Sequence, residues 1–212
     1  MTPRRAHGLV AVSFAGLLLT ACGFGGGSAG SGDGSDADAE RGEESPVSGT
    51  ATGSCAEVTV ATASGYVHID PGTEMDYEGV PPVSGKHWGE WGDLTATSVF
   101  SADERPDLGE LVHNQEHGWT LVWYDDTVDP AALEEVASEV ADSGVQKISY
   151  VPWTEDDGAA FPDDAHIALT HWGYEKDPGE EYRQFCSAPE AASIVAFAER
   201  YPASNAREPD AP

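Results

Sequence analysis

Two histidines and a glutamate lie within five consecutive positions, at His113, Glu116 and His117. Residues four apart share one face of a helical turn, so both imidazoles could direct a ring nitrogen toward one metal ion. In a straight strand the Cα atoms of the two histidines would lie about 13 Å apart, and they could not share an ion. The sequence leaves a helical turn and an extended bend both open, and the predicted metal site depends on the turn.

The third predicted ligand is His87, which ends a loop rich in glycine and proline at residues 79–88. Prolines restrict the backbone, so this loop would present its imidazole rigidly. Three neutral imidazole nitrogens suit Zn(II) or Cu(II), and copper is favoured by affinity. Glu116 would fix an imidazole tautomer or add a further ligand. Met75 could add a thioether, although a lone methionine more often packs in a core.

Other interpretations of these residues stay open. The histidines could form a polar network whose rings bond to main-chain carbonyls. His113, Glu116 and His117 also match the inverted zinc-peptidase pattern, so Glu116 would be catalytic only in a hydrolase. That chemistry needs a long helix, and Gly118 before a strand-like run leaves little room for one, so a non-enzymatic role is favoured. The protein could instead be a ligand-binding module that stacks sugars on four tryptophans, which are Trp88, Trp91, Trp119 and Trp123. Tryptophans more often lie in a core.

Short apolar or alternating runs predict four strands, at residues 57–61, 119–124, 145–151 and 165–171. In the last of them Ile167, Leu169 and His171 share one face, because side chains alternate along a strand.

Three helices can be placed around these strands. Asp129 as N-cap with Pro130 after it opens a helix that Gly144 ends. Ser187 and Glu190 have the spacing of a capping box and predict a final helix. A helix from about Pro106 to Gly118 is conceivable. The predicted fold is a single α+β domain in the order β-β-α-β-β-α, with about two helices on one face of a small sheet and a long irregular Pro/Gly-rich N-terminal half.

Three motifs in succession carry a resemblance to a known family. They are Pro-Pro-Val-Ser-Gly-Lys-His at residues 81–87, His-Asn-Gln-Glu-His-Gly at residues 113–118 and Leu-Thr-His-Trp-Gly at residues 169–173. The chain resembles, over about residues 65–201, the family called domain of unknown function 3105, which occurs in actinobacterial exported and membrane-anchored proteins. The resemblance implies no reaction, but it implies recurring positions at His87, His113, Glu116 and His117. His171 stands where the family pattern has a small residue, so it is not counted among the predicted ligands.

The first residues predict export and a lipid anchor. A basic start with Arg4 and Arg5 precedes an apolar stretch at residues 8–19, which is short for a membrane span. Leu-Thr-Ala-Cys then ends at Cys22, and its similarity to the bacterial lipoprotein signal implies cleavage before Cys22 and diacylation of its sulfur. Residues 1–21 are therefore predicted to be a lipoprotein signal peptide, with an ordinary secretory signal as the alternative and the export route open. The predicted location is the extracytoplasmic face of the cell membrane.

The rest of the chain divides into three predicted segments. Residues 22–54 are acidic and rich in Gly and Ser, which is typical of a flexible tether. Residues 55–202 have the length of one folded domain, and residues 203–212 form a tail. The net charge of −28 argues against nucleic acid as a partner.

Cys55 and Cys186 remain as an even pair once Cys22 carries the lipid. In an oxidising compartment such a pair predicts a disulfide, with two separate thiols as the alternative.

Overall fold

A computed structural model describes residues 45–46, 54–96, 98–162 and 164–212. These residues all lie within one compact unit, Arg41–Pro212. The predicted signal peptide, the lipidation site Cys22 and most of the predicted tether lie outside the described residues. Within the described part, no helix is both long enough and apolar enough to cross a membrane.

Eight strands in the described residues form two sheets. They are β1 (Ser45–Pro46), β2 (Thr59–Thr62), β3 (Tyr66–Ile69), β4 (Gly85–Trp88), β5 (Thr120–Tyr124), β6 (Ile148–Pro152), β7 (Ile167–Gly173) and β8 (Glu180–Cys186). The larger sheet has the order β1-β2-β8-β7-β5-β6, and β3 and β4 form a separate two-stranded sheet. Strands β5 and β6 are parallel, and the other neighbours in the larger sheet are antiparallel. The fold class is α+β, as predicted.

Three α-helices accompany the sheets in the part of the chain that the structure describes, and they are α1 (Leu108–Glu116), α2 (Pro130–Ser143) and α3 (Ala191–Arg200). The Asp129 side chain caps α2 by accepting from the main-chain N–H of Ala131, and Gly144 ends this helix in a left-handed conformation, as predicted. The predicted capping box at α3 is wrong. Glu190 itself is the N-cap, and the Ser187 hydroxyl instead donates to the main-chain oxygen of Ser54.

Helices cover both faces of the larger sheet. Alternate side chains of β5 separate the two apolar layers, because Val122 and Tyr124 join the core that α2 and α3 cover, whereas Leu121 and Trp123 pack with α1. The expected pair of helices on one face is therefore α2 with α3. The third helix, α1, lies on the opposite face and carries the histidine motif.

Strand β8 was not predicted, because its sequence Glu-Glu-Tyr-Arg-Gln-Phe-Cys is largely polar. Its polar side chains are satisfied inside the fold. Arg183 donates to the main-chain oxygen of Pro81 at 3.0 Å, and Gln184 donates to that of Ala56 at 2.8 Å. Because these bonds compensate for burial, a polar strand lies near the centre of the sheet.

The predicted disulfide is present between Cys55 and Cys186, with an S–S distance of 2.08 Å. It joins the chain ahead of β2 to the end of β8 across a sequence separation of 131 residues. Both sulfurs lie in the core on the α2 and α3 side of the sheet.

Candidate metal centre

Four side chains converge at one place beside α1, and they are His68, His87, His113 and Glu116. One potential ligand atom from each lies within 4.8 Å of the others. His87, His113 and Glu116 are buried, whereas the His68 side chain is 47% exposed. The cluster therefore has a buried floor and one imidazole at the surface.

The small parallel sheet brings His68 and His87 together. In the register of β3 and β4, His68 is paired with His87, so both rings lie on one face, with centroids 4.7 Å apart. The loop before β4 is fixed to its surroundings because the Gly85 N–H donates to the main-chain oxygen of Gly65 at 2.9 Å. The Ser84 hydroxyl also accepts from the Ser64 N–H at 2.7 Å. The Pro/Gly-rich segment at residues 79–88 was predicted to present His87 from a loop, but its last four residues form β4, so His87 lies in a strand.

Helix α1 supplies the other two members of the cluster. His113 and Glu116 are three residues apart, so they share one face of the helix. Asp107 and Glu110 form a capping box that fixes where the helix begins. Gly109 allows close packing, because a Cβ there would lie 2.6 Å from Met75 Cε and 2.7 Å from Trp88 Cγ. The His113 to His117 segment is therefore a helical turn that ends at His117.

The two residues between His113 and Glu116 hold neighbouring loops. The Asn114 amide accepts from the Gly92 N–H at 2.9 Å and donates to the Gly92 carbonyl at 3.0 Å. Gln115 Nε2 donates to the main-chain oxygen of Pro82 at 3.1 Å. This motif thus supplies two side chains to the cluster and anchors two loops around it.

Main-chain oxygens fix the tautomers of the two buried histidines. His87 Nδ1 lies 2.9 Å from the carbonyl oxygen of Gly85, and His113 Nδ1 lies 2.8 Å from that of Trp88. A carbonyl oxygen can only accept, so each Nδ1 carries the hydrogen and donates it. In each neutral ring the free lone pair is consequently on Nε2, which is how metal-binding histidines are commonly oriented.

The Oε2 atom of Glu116 lies close to one ring nitrogen of each of two histidines. It lies 3.2 Å from His68 Nε2 and 3.1 Å from His87 Nε2. Since the Nδ1 of a neutral His87 holds the hydrogen, its Nε2 lone pair would face a carboxylate oxygen directly. A second proton on the ring, or a cation bound by both atoms, removes this repulsion. Tetrahedral zinc with bonds near 2.0 to 2.1 Å needs ligand atoms about 3.3 Å apart, which is close to both distances.

The charge states suit a cation at neutral pH. Burial alone would raise the pKa of Glu116, but a hydrogen bond from a His87 ring that carries its second proton and a hydrogen bond from Arg207 outweigh burial and lower this pKa to about 2. Burial and the neighbouring histidines lower the pKa of His113 to about 4, although its hydrogen bond to Trp88 opposes the shift. Glu116 is thus ionised and His113 neutral, the forms in which each binds a metal ion.

His117 lies beside this cluster and is not among the four grouped side chains. Its Nδ1 donates to the main-chain oxygen of Pro212 at 2.9 Å, and its Nε2 is 3.7 Å from Glu208 Oε2. Its ring contacts that of His113, with centroids 4.5 Å apart. A ligand role for His117 stays a prediction.

His171 and Met75 lie outside the cluster. His171 Nδ1 is 3.0 Å from Thr120 Oγ1, and its ring stacks against Tyr182 in the layer on the α2 and α3 side. The Met75 sulfur accepts from the Tyr77 hydroxyl at 3.1 Å.

The four tryptophans of the possible sugar-binding surface differ in exposure. Trp119 and Trp123 are buried and Trp88 is half-buried, whereas Trp91 is 47% exposed. The Trp91 ring lies 5.6 Å from that of His113 and 5.3 Å from that of His117, between centroids. The exposed tryptophan surface is therefore small and adjoins the histidine cluster.

Sequence reasoning missed His68. Its segment, Tyr-Val-His-Ile, is only four residues long and lies 19 positions before His87 in the chain. Only the pairing of β3 with β4 places it in the cluster. A histidine between two apolar residues in a strand-forming run was the available signal.

The fold and the site thus define an α+β domain with a largely buried group of three histidines and one glutamate that could hold a metal ion. The sequence model of one family, described as "Protein of unknown function (DUF3105)", matches residues 68–212. The chain belongs to this family, as its three motifs predicted. Searches of curated proteins and of solved structures found no significant match. The family match contains all four clustered side chains.

Proposed function

We propose that the protein is a membrane-tethered, extracytoplasmic lipoprotein that binds a copper or zinc ion through His68, His87, His113 and Glu116. The observation that carries this proposal is the orientation of His87. Its Nδ1 is used by the Gly85 carbonyl, while its Nε2 is aimed at an ionised, fully buried carboxylate. A cation at this point would take the place of the second proton on the His87 ring and would satisfy the Nε2 lone pair and the Glu116 carboxylate together.

The ligand set indicates the class of metal. Three imidazoles and one carboxylate, with both described cysteines in a disulfide, suit Zn(II) or Cu(II). Copper is favoured where affinity alone decides. Because His68 is exposed, one ligand could exchange with solvent or with another molecule, which supports metal handling over a purely structural ion.

The arrangement favours metal binding over zinc-peptidase chemistry. A peptidase would use Glu116 to activate a metal-bound water. Here Glu116 Oε2 lies against two histidines, and Oε1 accepts from Arg207 at 2.6 Å. Both oxygens are therefore engaged. Peptide cleavage that Glu116→Gln abolishes while metal is retained would instead establish the hydrolase.

The metal can be tested on the purified full chain. The protein is loaded separately with zinc and copper, free ion is removed, and bound metal is measured by elemental analysis. Alanine at His68, His87 or His113 should each reduce the affinity about tenfold or more. His166→Ala is the matched control, because this half-buried histidine pairs with Asp125 outside the cluster. A wild-type chain without stoichiometric metal, or equal losses in the control, would refute the proposal.

The membrane tether has a separate test at Cys22. If its sulfur carries the lipid, Cys22→Ser should move the protein from the membrane fraction to the soluble fraction and abolish incorporation of labelled fatty acid. Cys55→Ser serves as the control, because Cys55 belongs to the folded domain. Unchanged fractionation of the Cys22 variant would contradict lipid anchoring.

A further inference from the structure

The segment after α3 packs directly on the end of α1. The N–H of Glu208 donates to the main-chain oxygen of Glu116 at 3.0 Å, and Arg207 Nη1 donates to Glu116 Oε1 at 2.6 Å. Lys147 Nζ anchors the same segment by donating to the main-chain oxygens of Pro209 at 3.0 Å and Ala211 at 2.6 Å. The backbone and the side chain of Glu116 are therefore both held by this segment.

Arg207 also reaches the strand that carries His68. Its guanidinium carbon lies 3.3 Å from the ring centroid of Tyr66, the first residue of β3, and 5.7 Å from that of Tyr174. A guanidinium combines planar stacking with directed hydrogen bonds, so it can contact a ring and a carboxylate at once. One side chain thus links the helix and the strand that supply the ligands.

We infer that Arg207 is a positioning residue that leaves Glu116 only one oxygen for metal and so makes the site select zinc or copper over manganese. This inference rests on the proposed function. Larger, harder ions prefer more oxygen ligands and often take both oxygens of one carboxylate. Because Arg207 occupies Oε1, Glu116 offers Oε2 alone, beside the nitrogens of His68 and His87.

The ratio of the zinc affinity to the manganese affinity distinguishes a positioning role of Arg207 from an effect of its charge or of its contribution to stability. Removing the positive charge of Arg207 strengthens the attraction for every divalent ion to a similar extent. A loosened fold likewise weakens the binding of all ions together. Loss of the Arg207 hydrogen bond should instead raise the affinity for manganese, because Oε1 becomes free to bind it. The same change should lower the affinity for zinc, because Glu116 is no longer held in place. The ratio of the two dissociation constants therefore reports the positioning role.

The test compares full-length wild type with Arg207→Gln, titrating Zn²⁺ and Mn²⁺ separately by calorimetry. The preference for zinc over manganese should fall about tenfold or more in the variant. Arg200→Gln is the matched control, because Arg200 lies over Tyr201 near the same segment and should leave the preference unchanged. Should Arg207→Gln fail to fold, Arg207→Lys decides, since it keeps the charge but loses the planar fork and should also reduce the preference.

The two proposals fail in different ways. If the folded Arg207 variant prefers zinc over manganese as strongly as wild type does, and wild type binds zinc, the positioning role is overturned and metal binding stands. A wild-type chain that binds neither ion would remove the metal site and the positioning role with it.

Discussion

Glu116 carries the negative charge of the cluster, and its two oxygens face different partners. Oε2 faces His68 and His87, and Oε1 pairs with Arg207. Glu116→Gln should lower the free energy of unfolding of the metal-free protein by about 3 kcal/mol, because it leaves the guanidinium without its counter-charge next to a buried site. Chemical denaturation measures this change. Glu135→Gln, at an exposed site on α2, should change it by less than about 0.5 kcal/mol. Equal effects of Glu116→Gln and Glu135→Gln would contradict the role of Glu116 as the counter-charge of Arg207.

His171 should make the protein less stable in acid. Burial lowers the pKa of its imidazole from 6.5 to about 3. Between these values the unfolded chain binds a proton that the folded protein does not, so the stabilisation is complete above pH 6.5 and is lost as the pH falls toward 3. His171 contributes at most about 1.4 kcal/mol per pH unit to the slope of the free energy of unfolding against pH. His171→Gln should remove this part of the slope, measured by denaturation from pH 7 to pH 4 on metal-free protein. An unchanged slope would show that His171 does not titrate in this way.

Residue types alone predicted part of the cluster. His87, His113 and Glu116 were singled out from loop stiffness and from helical spacing, and the fold brings them together. The predicted end of the helix at Gly118 is confirmed to within two residues, but the spacing could not show which ring of the motif faces the cluster. The chain leaves α1 at His117 and turns at Gly118, whose φ is +90°, so the His117 nitrogen meets Pro212. Geometry at the last turn therefore decides which ring of the motif faces the cluster.

At the scale of elements, the turn between α1 and β5 depends on Gly118. A Cβ at this residue would lie 2.5 Å from the main-chain oxygen of Ala203, in the short 3-10 helix Ala203–Asn205. Gly118→Ala should lower the free energy of unfolding by about 2 to 4 kcal/mol, from backbone strain and from this contact together.

A control at Gly144 isolates the contact. Gly144 has a φ of +84°, and a Cβ added there would meet no atom within 4 Å, so Gly144→Ala should show the backbone strain alone, about 1 kcal/mol. Thermal unfolding of both variants measures the difference. Equal destabilisation would show that close packing on the segment after α3 contributes nothing at Gly118.

Elements with strong local signals could be predicted, and elements fixed by distant contacts could not. Helix α2 has its N-cap Asp129 and its terminal glycine in the sequence, and β5 is wholly buried and largely apolar. Strands β3 and β4 are four residues each, and their parallel pairing depends on the loop between them. The burial of strand β8 could not be predicted, because it contains the polar residues Arg183 and Gln184. Their hydrogen-bond partners lie more than 100 residues away in the chain. Local periodicity carries no information about such partners.

At the scale of the whole molecule, the disulfide and the histidine cluster lie in different layers. Cys55 and Cys186 belong to the core under α2 and α3, whereas the cluster lies beside α1 on the other side of the larger sheet. Stability and metal binding should therefore respond separately to loss of the bond. The double change Cys55→Ser and Cys186→Ser should lower the free energy of unfolding by up to about 4 to 5 kcal/mol, because the bond closes a loop of more than 100 residues in the unfolded chain. Below its unfolding transition the variant should bind as much zinc as wild type. Folded variant protein that has lost its metal, by elemental analysis beside circular dichroism, would show instead that the two layers are coupled.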